Sequence, residues 1–507
     1  MITSKYLHLE KKITKLIPSL KKDGKKIVLC HGVFDLVHPG HIDYFKAAKS
    51  LGEVLVVTIT ADKFIKKNMH SPHFDELTRY NFLSNIKIID YVFIINEPSA
   101  LSAIKKIKPN FYCKGTEYKK RDSIGNLEIE KKALSKIGGK IRFLGKNIQS
   151  SSKLISQNLF KIENKIIETN LRKINQKEIK KVFKKLERLK VLVIGEAIID
   201  KYTYVEIKGV SPKSNTLSCI KQSDQIMPGG VLATYNFAKS IVKSSSLISI
   251  ISDDIYFSKI YRKKIGYLKS LIHSKSYPSI IKDRFVERHG NHLKKILTLN
   301  HFEEKTISEK DENLILKRLK KLLPKQDIVV IQDFGHNLLT KKIINLIQNK
   351  AKKISVNVQS NSLNYGFNII NKKYKKVNFF SLNNTELELS SRKKNIDHLQ
   401  ELRKLCKDLL AEKGFLTCGG EFSLVVEKNT STRIPTLNTN AIDTMGAGDI
   451  FHLMSSILSC VTNNNFLILF LSQIAGAHAV NIPGNSDYPK VSEILKTFDF
   501  YKNAVNK

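Results

Sequence analysis

Short apolar runs alternate with amphipathic helical patterns over the first part of the chain. The runs that predict strands are KIVLC (26–30), VLVVTIT (54–60), YVFII (91–95), FYCKG (111–115) and KIRFLG (140–145). Continuous apolar strands separated by helices are typical of a parallel sheet that is buried on both faces. The pattern therefore predicts a doubly wound α/β domain, which we place at residues 1–155.

The pattern changes between residues 156 and 188, where a polar, lysine-rich stretch keeps helical spacing without an apolar run of strand length. It predicts a helical linker, and a coiled-coil or dimerising helix is the alternative. A second α/β region follows over residues 189–507 and begins with the apolar run KVLVIG (190–195). The alternating stretches YTYVEIK (202–208) and NTLSCIKQS (215–223) predict a small β-flap beside its main sheet.

The charge of the chain changes this picture little. The 507 residues carry a formal net charge of +40, which a nucleic-acid-binding protein would concentrate on one face. Here lysines occur in pairs along the whole chain, mostly on predicted helix surfaces, so a lysine-biased composition is the favoured interpretation and no nucleic-acid partner is expected. The resulting field favours anionic substrates.

The distribution of cysteines and apolar segments bears on the cellular compartment. The 6 cysteines contain no CxxC pair, so the sequence predicts neither a disulfide framework nor a zinc site. The most apolar late run, FLILFLSQIAGAHAVNI (466–482), includes Ser472, Gln473 and His478 and predicts a buried helix rather than a membrane span. The first twenty residues are interrupted by lysines and do not resemble a signal peptide. We therefore expect a cytoplasmic protein without a membrane partner.

The first candidate for chemistry is HGVFDLVHPGH (31–41), directly after a predicted strand. It places His38 at the end of a loop and His41 in the first turn of a helix, where free backbone N–H groups attract phosphate. Gly32 and Gly40 allow close approach of a ligand to the backbone, and Pro39 fits the first helical turn. A partial metal site that includes Asp35 is the alternative interpretation.

The same stretch resembles the G-x-F-D-x-x-H-x-G-H motif of the cytidylyltransferase-like nucleotidyltransferases. TADKFIKK, ELTRYNFL, CKGTEY and QSSSKLI follow in the order of that family's other motifs. The resemblance, over residues 24–155, implies nucleotidyl transfer with His38 and His41 at the α-phosphate and Mg²⁺ at the leaving pyrophosphate. It also implies a set of residues that bind nucleotide or phosphate: Gly32, Phe34, Asp35, Gly40, Lys66, Lys67, Arg79, Lys114, Gly115, Ser150, Ser151 and Ser152.

The second candidate is DTMGAGDIF (443–451). Successive N–H groups at Gly446, Ala447 and Gly448 could form an anion-binding nest at the start of a helix. Asp449 would then lie beside a transferring phosphoryl group, where a carboxylate can accept the proton of an attacking hydroxyl. A glycine-rich turn with an aspartate as helix cap is the alternative for this pattern alone.

DTMGAGD resembles the D-T-x-G-A-G-D motif of the ribokinase-like carbohydrate kinases, and VLVIGEAIIDKY, PGGVLATYNFA, NNTE and LTCGGEFSLV resemble their other motifs. The resemblance covers residues 189–507 and implies Asp449 as the catalytic base. It implies sugar-binding residues, namely Asp200, Gly229, Gly230 and Asn236. It also implies nucleotide- and phosphate-binding residues: Asn383, Glu386, Thr417, Gly419, Gly446, Ala447 and Gly448, with Glu386 acting on Mg²⁺ indirectly. Related heptose kinases carry an asparagine where this chain has Ala233, which predicts an altered sugar pocket.

A kinase and a nucleotidyltransferase on one chain resemble the bifunctional enzymes of ADP-heptose synthesis, here with the transferase first, as in a less-studied branch of that family. The resemblance implies a sugar-phosphate kinase and sugar-1-phosphate nucleotidyltransferase that uses ATP and makes a nucleotide-activated sugar for surface polysaccharide. Family analogy implies a homodimer formed through the kinase domain. The alternatives are a CTP-dependent transferase for glycerol or polyol phosphate fused to a sugar kinase, and a basic nucleic-acid-binding or scaffold protein on a decayed enzyme fold.

Overall fold

The structure is a computed structural model that describes residues 16–65, 72–116, 126–145, 164–253, 271–289, 292–301, 305–437 and 441–505. The chain divides into two compact units, residues 1–163 with 499–507 and residues 164–498. Each unit contains its own sheet or sheets and its own hydrophobic core.

The first unit is built on a five-stranded sheet in the order β3-β2-β1-β4-β5, in which every neighbouring pair is parallel. Its strands are β1 (Ile27–Gly32), β2 (Val54–Thr60), β3 (Tyr91–Ile95), β4 (Phe111–Gly115) and β5 (Lys140–Leu144). Its helices are α1 (Pro39–Lys49), α2 (Glu76–Ser84), α3 (Leu101–Ile107) and α4 (Asn126–Ser135). The strand order reverses between β1 and β4, and the carboxyl ends of strands beside such a reversal are where open α/β sheets bind ligands.

The apolar run of β1 explains why this sheet is buried on both faces. Ile27 and Leu29 pack into one hydrophobic cluster, whereas Val28 and Cys30 pack into the other. Successive side chains of a strand point to opposite faces, so a continuous apolar run needs helices on both sides. The predicted doubly wound fold of this region is confirmed.

The second unit contains a nine-stranded sheet in the order β10-β9-β6-β13-β14-β15-β16-β17-β18 and a four-stranded sheet in the order β12-β11-β7-β8. In the large sheet, all neighbours from β10 to β16 are parallel, and β17 and β18 are antiparallel additions. Its strands are β6 (Lys190–Gly195), β9 (Ser244–Ser252), β10 (Leu271–Ser274), β13 (Ile328–Asp333), β14 (Ile354–Val358), β15 (Phe379–Asn383), β16 (Lys413–Cys418), β17 (Phe422–Glu427) and β18 (Thr430–Pro435).

The four-stranded sheet corresponds to the predicted β-flap, although it recruits two later strands. It consists of β7 (Ala197–Val210), β8 (Leu217–Gly230), β11 (Ile280–His289) and β12 (His292–His301). The sequence pattern identified the hairpin of β7 and β8 but not β11 and β12. Strand β11 pairs with β7, which lies far from it in the chain, and β12 joins the sheet by pairing with β11.

The helices from residue 164 onward are α5 (Lys165–Lys173), α6 (Gln176–Leu186), α7 (Val231–Ile241), α8 (Glu309–Leu322), α9 (Lys341–Lys350), α10 (Ile370–Lys373), α11 (Asn384–Ser391), α12 (His398–Asp408), α13 (Ala447–Ser459), α14 (Asn465–Ala479) and α15 (Val491–Val505). Helices α5 and α6 occupy the segment for which we expect a helical linker. They lie within the second unit, and the Lys185 side chain of α6 donates to the backbone carbonyl of Val461.

Helix α14 contains the most apolar run of the chain, and its side chains are almost all buried. Among the residues that the structure describes, none of the helices combines the length and the apolar character that a membrane span requires.

Candidate active sites of the two units

The loop between β1 and α1 forms the first candidate site. Phe34 adopts a left-handed backbone conformation (φ 50°), which is costly for a non-glycine residue and is often seen at functional sites. A Cβ atom on Gly32 would lie 3.1 Å from the Phe34 ring. Gly32 therefore lets the ring fold back beneath the loop, and the loop passes from the strand into the helix without a bulky side chain at the strand end.

His38 and His41 lie side by side at the N-terminus of α1. His38 is the N-cap residue, Pro39 occupies the first turn, and the two imidazole rings are 4.0 Å apart. The His38 backbone N–H donates to Nδ1 of His41 over 3.4 Å. In the neutral ring of His41 the proton then resides on Nε2, which makes that atom a hydrogen-bond donor. With Gly40 as the second residue of the helix, the predicted arrangement of imidazoles and helical N–H groups is present.

Asp35 and Arg79 build the loops around this site. The buried Asp35 carboxylate accepts the backbone N–H groups of His73 and Phe74 at 2.8–2.9 Å. The buried guanidinium of Arg79 donates to the Val33 carbonyl at 2.6 Å and pairs with Asp62 at 2.5 Å. Arg79 thus holds the backbone at the ends of β1 and β2, and Asp35 holds the loop that precedes α2, which are roles that the sequence motif did not reveal.

Lys114 and Gly115 lie at the end of β4, on the other side of the strand-order reversal. Nζ of Lys114 is 3.4 Å from the buried carboxylate of Glu130, which also accepts the Tyr112 hydroxyl at 3.1 Å. Burial and the charge of Lys114 lower the pKa of His31 to about 3, so His31 is neutral. Lys66, Lys67, Ser150, Ser151 and Ser152 lie outside the described residues.

The second candidate site is a cavity of about 230 Å³ at the carboxyl ends of strands β14 to β16. Of the residues expected from the kinase motifs, it is lined by Asp200, Gly230, Asn383, Glu386, Thr417, Gly446, Gly448 and Asp449. Gly419 lies in the turn after β16, Ala447 is the first residue of α13, and Asn236 lines a separate cavity of about 20 Å³. All of the kinase motifs therefore contribute to one cavity, although Gly229, Asn236, Gly419 and Ala447 do not line it.

Asp449 lies in the first turn of α13, directly after the glycine-rich segment. Gly446 is the N-cap residue with φ 76°, and a Cβ atom there would be 2.1 Å from Oδ1 of Asn485, so both the conformation and the space require glycine. Burial and the nearby charge of Asp200 raise the pKa of Asp449 to about 7. A carboxylate with that pKa can accept a proton near neutral pH.

Asp200 faces the same cavity from β7 of the flap. Nη1 of Arg284 donates to the Asp200 carboxylate, and Nδ2 of Asn485 donates to the same carboxylate at 3.3 Å. A Cβ atom on Gly229 would lie 2.3 Å from Oδ2 of Asp200. Gly229 is therefore required for the position of the Asp200 carboxylate.

Glu386 and Asn383 form a reciprocal cap at the start of α11. The Asn383 side chain accepts the Glu386 N–H at 2.9 Å, and the Glu386 carboxylate accepts the N–H groups of Asn383 at 2.9 Å and Ser360 at 3.2 Å. Burial raises the pKa of Glu386 to about 7. Among the described residues there is no cluster of three or more potential metal ligands. A single carboxylate beside a phosphate site fits Mg²⁺, which keeps several waters and is held largely by substrate phosphates.

Two cations and three amides that line this cavity were missed by the sequence analysis, namely Lys282, Arg284, Asn357, Gln359 and Asn485. Lys282 and Arg284 reach it from β11, where Lys282 pairs in register with Asp200, and Gln359 reaches it from the end of β14. The alternation of Lys282 and Arg284 in IIKDRFVERH places them on one face of a strand. In a chain this rich in lysine, that alternation alone could not mark them.

Comparison with known families matches one family model to each of two regions of the chain. Residues 29–158 match the family model described as cytidylyltransferase-like, and residues 281–465 match that of the pfkB family carbohydrate kinases. The first unit is cytidylyltransferase-like, and the second has a carbohydrate kinase fold. Both fold expectations are confirmed.

Among curated proteins, the cytidylyltransferase-like region is similar to bifunctional protein HldE of several bacteria. The protein of Helicobacter pylori strain J99 is 34% identical over 116 residues, which are 22% of this chain and 25% of the relative. That of Campylobacter jejuni strain RM1221 is 38% identical over 127 residues, 24% of this chain and 28% of the relative. The chain thus matches about a quarter of the length of these relatives.

Among solved structures, ribokinase of Arabidopsis thaliana complexed with ribose and ATP aligns with a TM-score of 0.47 and 15% identity, over 61% of this chain and 99% of that chain.

Proposed function

We propose that this protein is a bifunctional enzyme in which the first unit is a sugar-1-phosphate nucleotidyltransferase and the second unit is a sugar-phosphate kinase. The main support is the cavity in which Asp449, Asp200 and the glycine-rich N-terminus of α13 meet. This arrangement supplies a base, a hydroxyl-binding carboxylate and an anion-binding helix end, which are the groups that phosphoryl transfer to a sugar requires.

In the proposed kinase reaction, Asp200 holds the sugar and Asp449 accepts the proton of the attacking hydroxyl. The hydroxyl oxygen forms a bond to the γ-phosphorus of ATP, the bond from that phosphorus to the bridging oxygen breaks, and ADP leaves. The backbone N–H groups that follow Gly446 donate hydrogen bonds to the negatively charged phosphoryl oxygens. Glu386 would hold Mg²⁺ through water, and the ion when bound neutralises charge on the phosphates.

The two cations that line the cavity beside its carboxylates support an acceptor that already carries a phosphate. Arg284 neutralises Asp200, and Lys282 adds a second cation from the same strand. Burial lowers the pKa of Lys282, while the charge of Asp200 acts in the opposite direction. A half-buried ammonium group is stabilised by an anionic ligand, so a sugar phosphate fits better than a neutral sugar.

In the proposed transferase reaction, a phosphate oxygen of the sugar 1-phosphate attacks the α-phosphorus of a nucleoside triphosphate, and pyrophosphate leaves. His38 and His41 donate to the α-phosphate oxygens, and the N-terminus of α1 adds its N–H groups. No nucleophilic side chain is needed, because the site acts by positioning the reactants and compensating charge. We assign Lys66, Lys67 and Ser150 to Ser152 to the triphosphate by resemblance.

We propose ATP as the nucleotide and a heptose phosphate as the sugar, because the curated relatives of the first unit are HldE proteins. The product would be a nucleotide-activated sugar of the ADP-heptose type for surface polysaccharide. Since these substrates are cytoplasmic metabolites, we place the enzyme in the cytoplasm, without a nucleic-acid or membrane partner. We also propose a homodimer formed through the flap of the second unit.

The proposal is tested by incubating the purified protein with Mg²⁺, ATP or CTP, and a panel of sugar and polyol phosphates, followed by mass spectrometry. We expect ADP and a sugar bisphosphate from heptose 7-phosphate, and pyrophosphate and ADP-heptose from heptose 1-phosphate. CDP products from glycerol or polyol phosphate would instead establish the CTP-dependent alternative. Steeply salt-dependent DNA binding without any turnover would overturn the enzymatic proposal.

A further inference from the structure

The strand β14 presents a row of polar side chains toward the helix that carries Asp449. Ser355, Asn357 and Gln359 alternate along and just beyond this strand and therefore share one face. Ser355 contacts His452 at 2.9 Å, and Gln359 contacts Asp449, both on α13. The amide of Gln359 is the member of this row that reaches the carboxylate proposed as the catalytic base.

The hydrogen bonds of the row fix which way the Gln359 amide points. Nδ2 of Asn357 donates to the backbone carbonyl of Ser381 at 2.8 Å, and a carbonyl can only accept. Oδ1 of Asn357 must therefore face Gln359, and it accepts from Nε2 of Gln359 at 3.0 Å. The NH₂ group of Gln359 thus faces Asp449 and donates to Oδ1 of the carboxylate.

The backbone of Gln359 is also held on both sides. Its N–H donates to the carbonyl of Asp333 at 2.9 Å, and its carbonyl accepts Nδ2 of Asn368 at 3.1 Å. A flipped amide would place the Gln359 carbonyl against the Asn357 carbonyl and against the Asp449 carboxylate, so three acceptors would face one another. The donor orientation is therefore specified by the surrounding chain rather than by Asp449 itself.

We propose that Gln359 is a positioning residue of the kinase site, which occupies Oδ1 of Asp449 and leaves Oδ2 to accept the proton of the sugar hydroxyl. This inference rests on the proposed kinase function. In the transfer step the hydroxyl proton moves to Oδ2, the oxygen bonds to the γ-phosphorus, and the electron pair of the breaking phosphorus–oxygen bond leaves with ADP. Fixing the carboxylate rotamer aligns the base before the substrate binds.

The hydrogen bond from Gln359 also affects the pKa of Asp449, which it lowers. Burial, Asp200 on β7 and Glu386 on α11 raise the pKa of the carboxyl, whereas Gln359 and Lys282 on β11 lower it. Loss of the amide donor is therefore expected to raise the pKa of Asp449 further. As the pH is lowered, the rate of a variant without this donor should begin to fall at a higher pH than the wild-type rate does.

The test uses the full-length protein with Gln359→Leu and Gln359→Glu, and Gln400→Leu on the exposed side of α12 as the matched control. With ATP and heptose 7-phosphate, we expect Gln359→Leu to lower kcat at pH 7 by about 10- to 100-fold, as for other orienting groups, with KM for ATP within about twofold. We expect the acid limb of the rate profile to move to higher pH, and Gln359→Glu to be slower still. An unchanged profile and kcat in Gln359→Leu would overturn the inference, while an inactive wild type would overturn the proposed function instead.

A second measurement does not depend on activity. Because the raised pKa of a buried carboxyl favours the folded state at low pH, loss of the amide should lower Tm more at pH 8.5 than at pH 5.5. The same substitution in an Asp449→Asn background should lower Tm equally at both pH values. If Gln359→Leu lowered Tm by an amount that is independent of pH in both backgrounds, Gln359 would only fill space, and the inference would be wrong.

Discussion

At the scale of single residues, the two sites depend on side chains with different chemistry and in different units. In the proposed reactions Asp449 accepts a proton, whereas His38 and His41 donate hydrogen bonds to phosphate. Asp449→Asn keeps the shape of the side chain and removes the base, so we expect it to reduce ADP release by about 10²- to 10⁴-fold, the range for a general base, while pyrophosphate release is unchanged.

His41→Ala should have the opposite effect, with pyrophosphate release reduced by about 10²- to 10³-fold, as for loss of one transition-state donor, and ADP release unchanged. Both reactions are followed with the same preparations, and the circular dichroism spectrum serves as the folding control. If either variant lost both activities while its spectrum and Tm matched the wild type, the assignment of one reaction to each unit would be wrong.

The raised pKa of Asp449, about 7, predicts how the kinase responds to pH. The base must be ionised to accept a proton, so we expect kcat to fall by about tenfold per pH unit below pH 7. The same shift affects stability, because a carboxyl whose pKa is raised on folding stabilises the folded state below the unfolded-state pKa of about 4. That contribution is lost as pH rises through about 7, and it should be absent in Asp449→Asn when Tm is measured from pH 4 to pH 9.

At the scale of elements, the kinase cavity depends on how closely the flap strands approach one another. Because a Cβ atom on Gly229 of β8 would lie 2.3 Å from Oδ2 of Asp200 on β7, Gly229→Ala must displace that carboxylate. We expect KM for the sugar phosphate to rise at least about tenfold, which corresponds to about 1.4 kcal/mol, and KM for ATP to change little. Gly420→Ala is the matched control, since nothing lies within 4 Å of its Cβ position, and an unchanged sugar KM in Gly229→Ala would contradict the role of Asp200.

The same elements show which features of the fold and the site can be predicted from the sequence. The runs KIVLC and VLVVTIT appear as β1 (Ile27–Gly32) and β2 (Val54–Thr60), because a continuous apolar run determines both the strand and its burial. Arg284, in contrast, meets Asp200 across 84 positions of sequence, through a parallel pairing of β11 with β7 that no local pattern encodes. Motif residues could be predicted because their neighbours in sequence are also their neighbours in space. Lys282, Arg284 and the Gln359 amide lie in the cavity because of the order in which the strands pair, which a local sequence pattern does not show.

At the scale of the whole molecule, the formal net charge is +40, and lysines and arginines occur in both units. Ion pairs at the sites, such as Lys114 with Glu130 and Arg284 with Asp200, add nothing to this net charge, because their charges cancel. Association between copies of the chain has a different physical basis, because it requires exposed apolar surface rather than charge.

The flap offers such a surface. Leu297 and Leu299 on β12 are 57% and 47% exposed and, being two residues apart, lie on one face of the strand. Val210, Leu217 and Ile220 are also at least half exposed, but they lie toward the hairpin end of β7 and β8 and not beside these leucines. A dimer with twofold symmetry would bury the same patch on both copies, and burial of these leucines supplies about 1.5–3 kcal/mol for each side chain that becomes fully covered.

A charged side chain in place of Leu297 or Leu299 should therefore dissociate the proposed dimer, because each substitution is present twice in a twofold interface. We expect Leu299→Asp to shift the mass measured by light scattering from about two chains to one and to leave Tm of the isolated chain within a few degrees. Leu410→Asp is the control, since Leu410 is 70% exposed and lies outside the flap. A wild-type protein that is monomeric at micromolar concentration, or a dimer that persists in Leu299→Asp, would rule out the flap as the interface, and the apolar residues of β12 would then need a different partner.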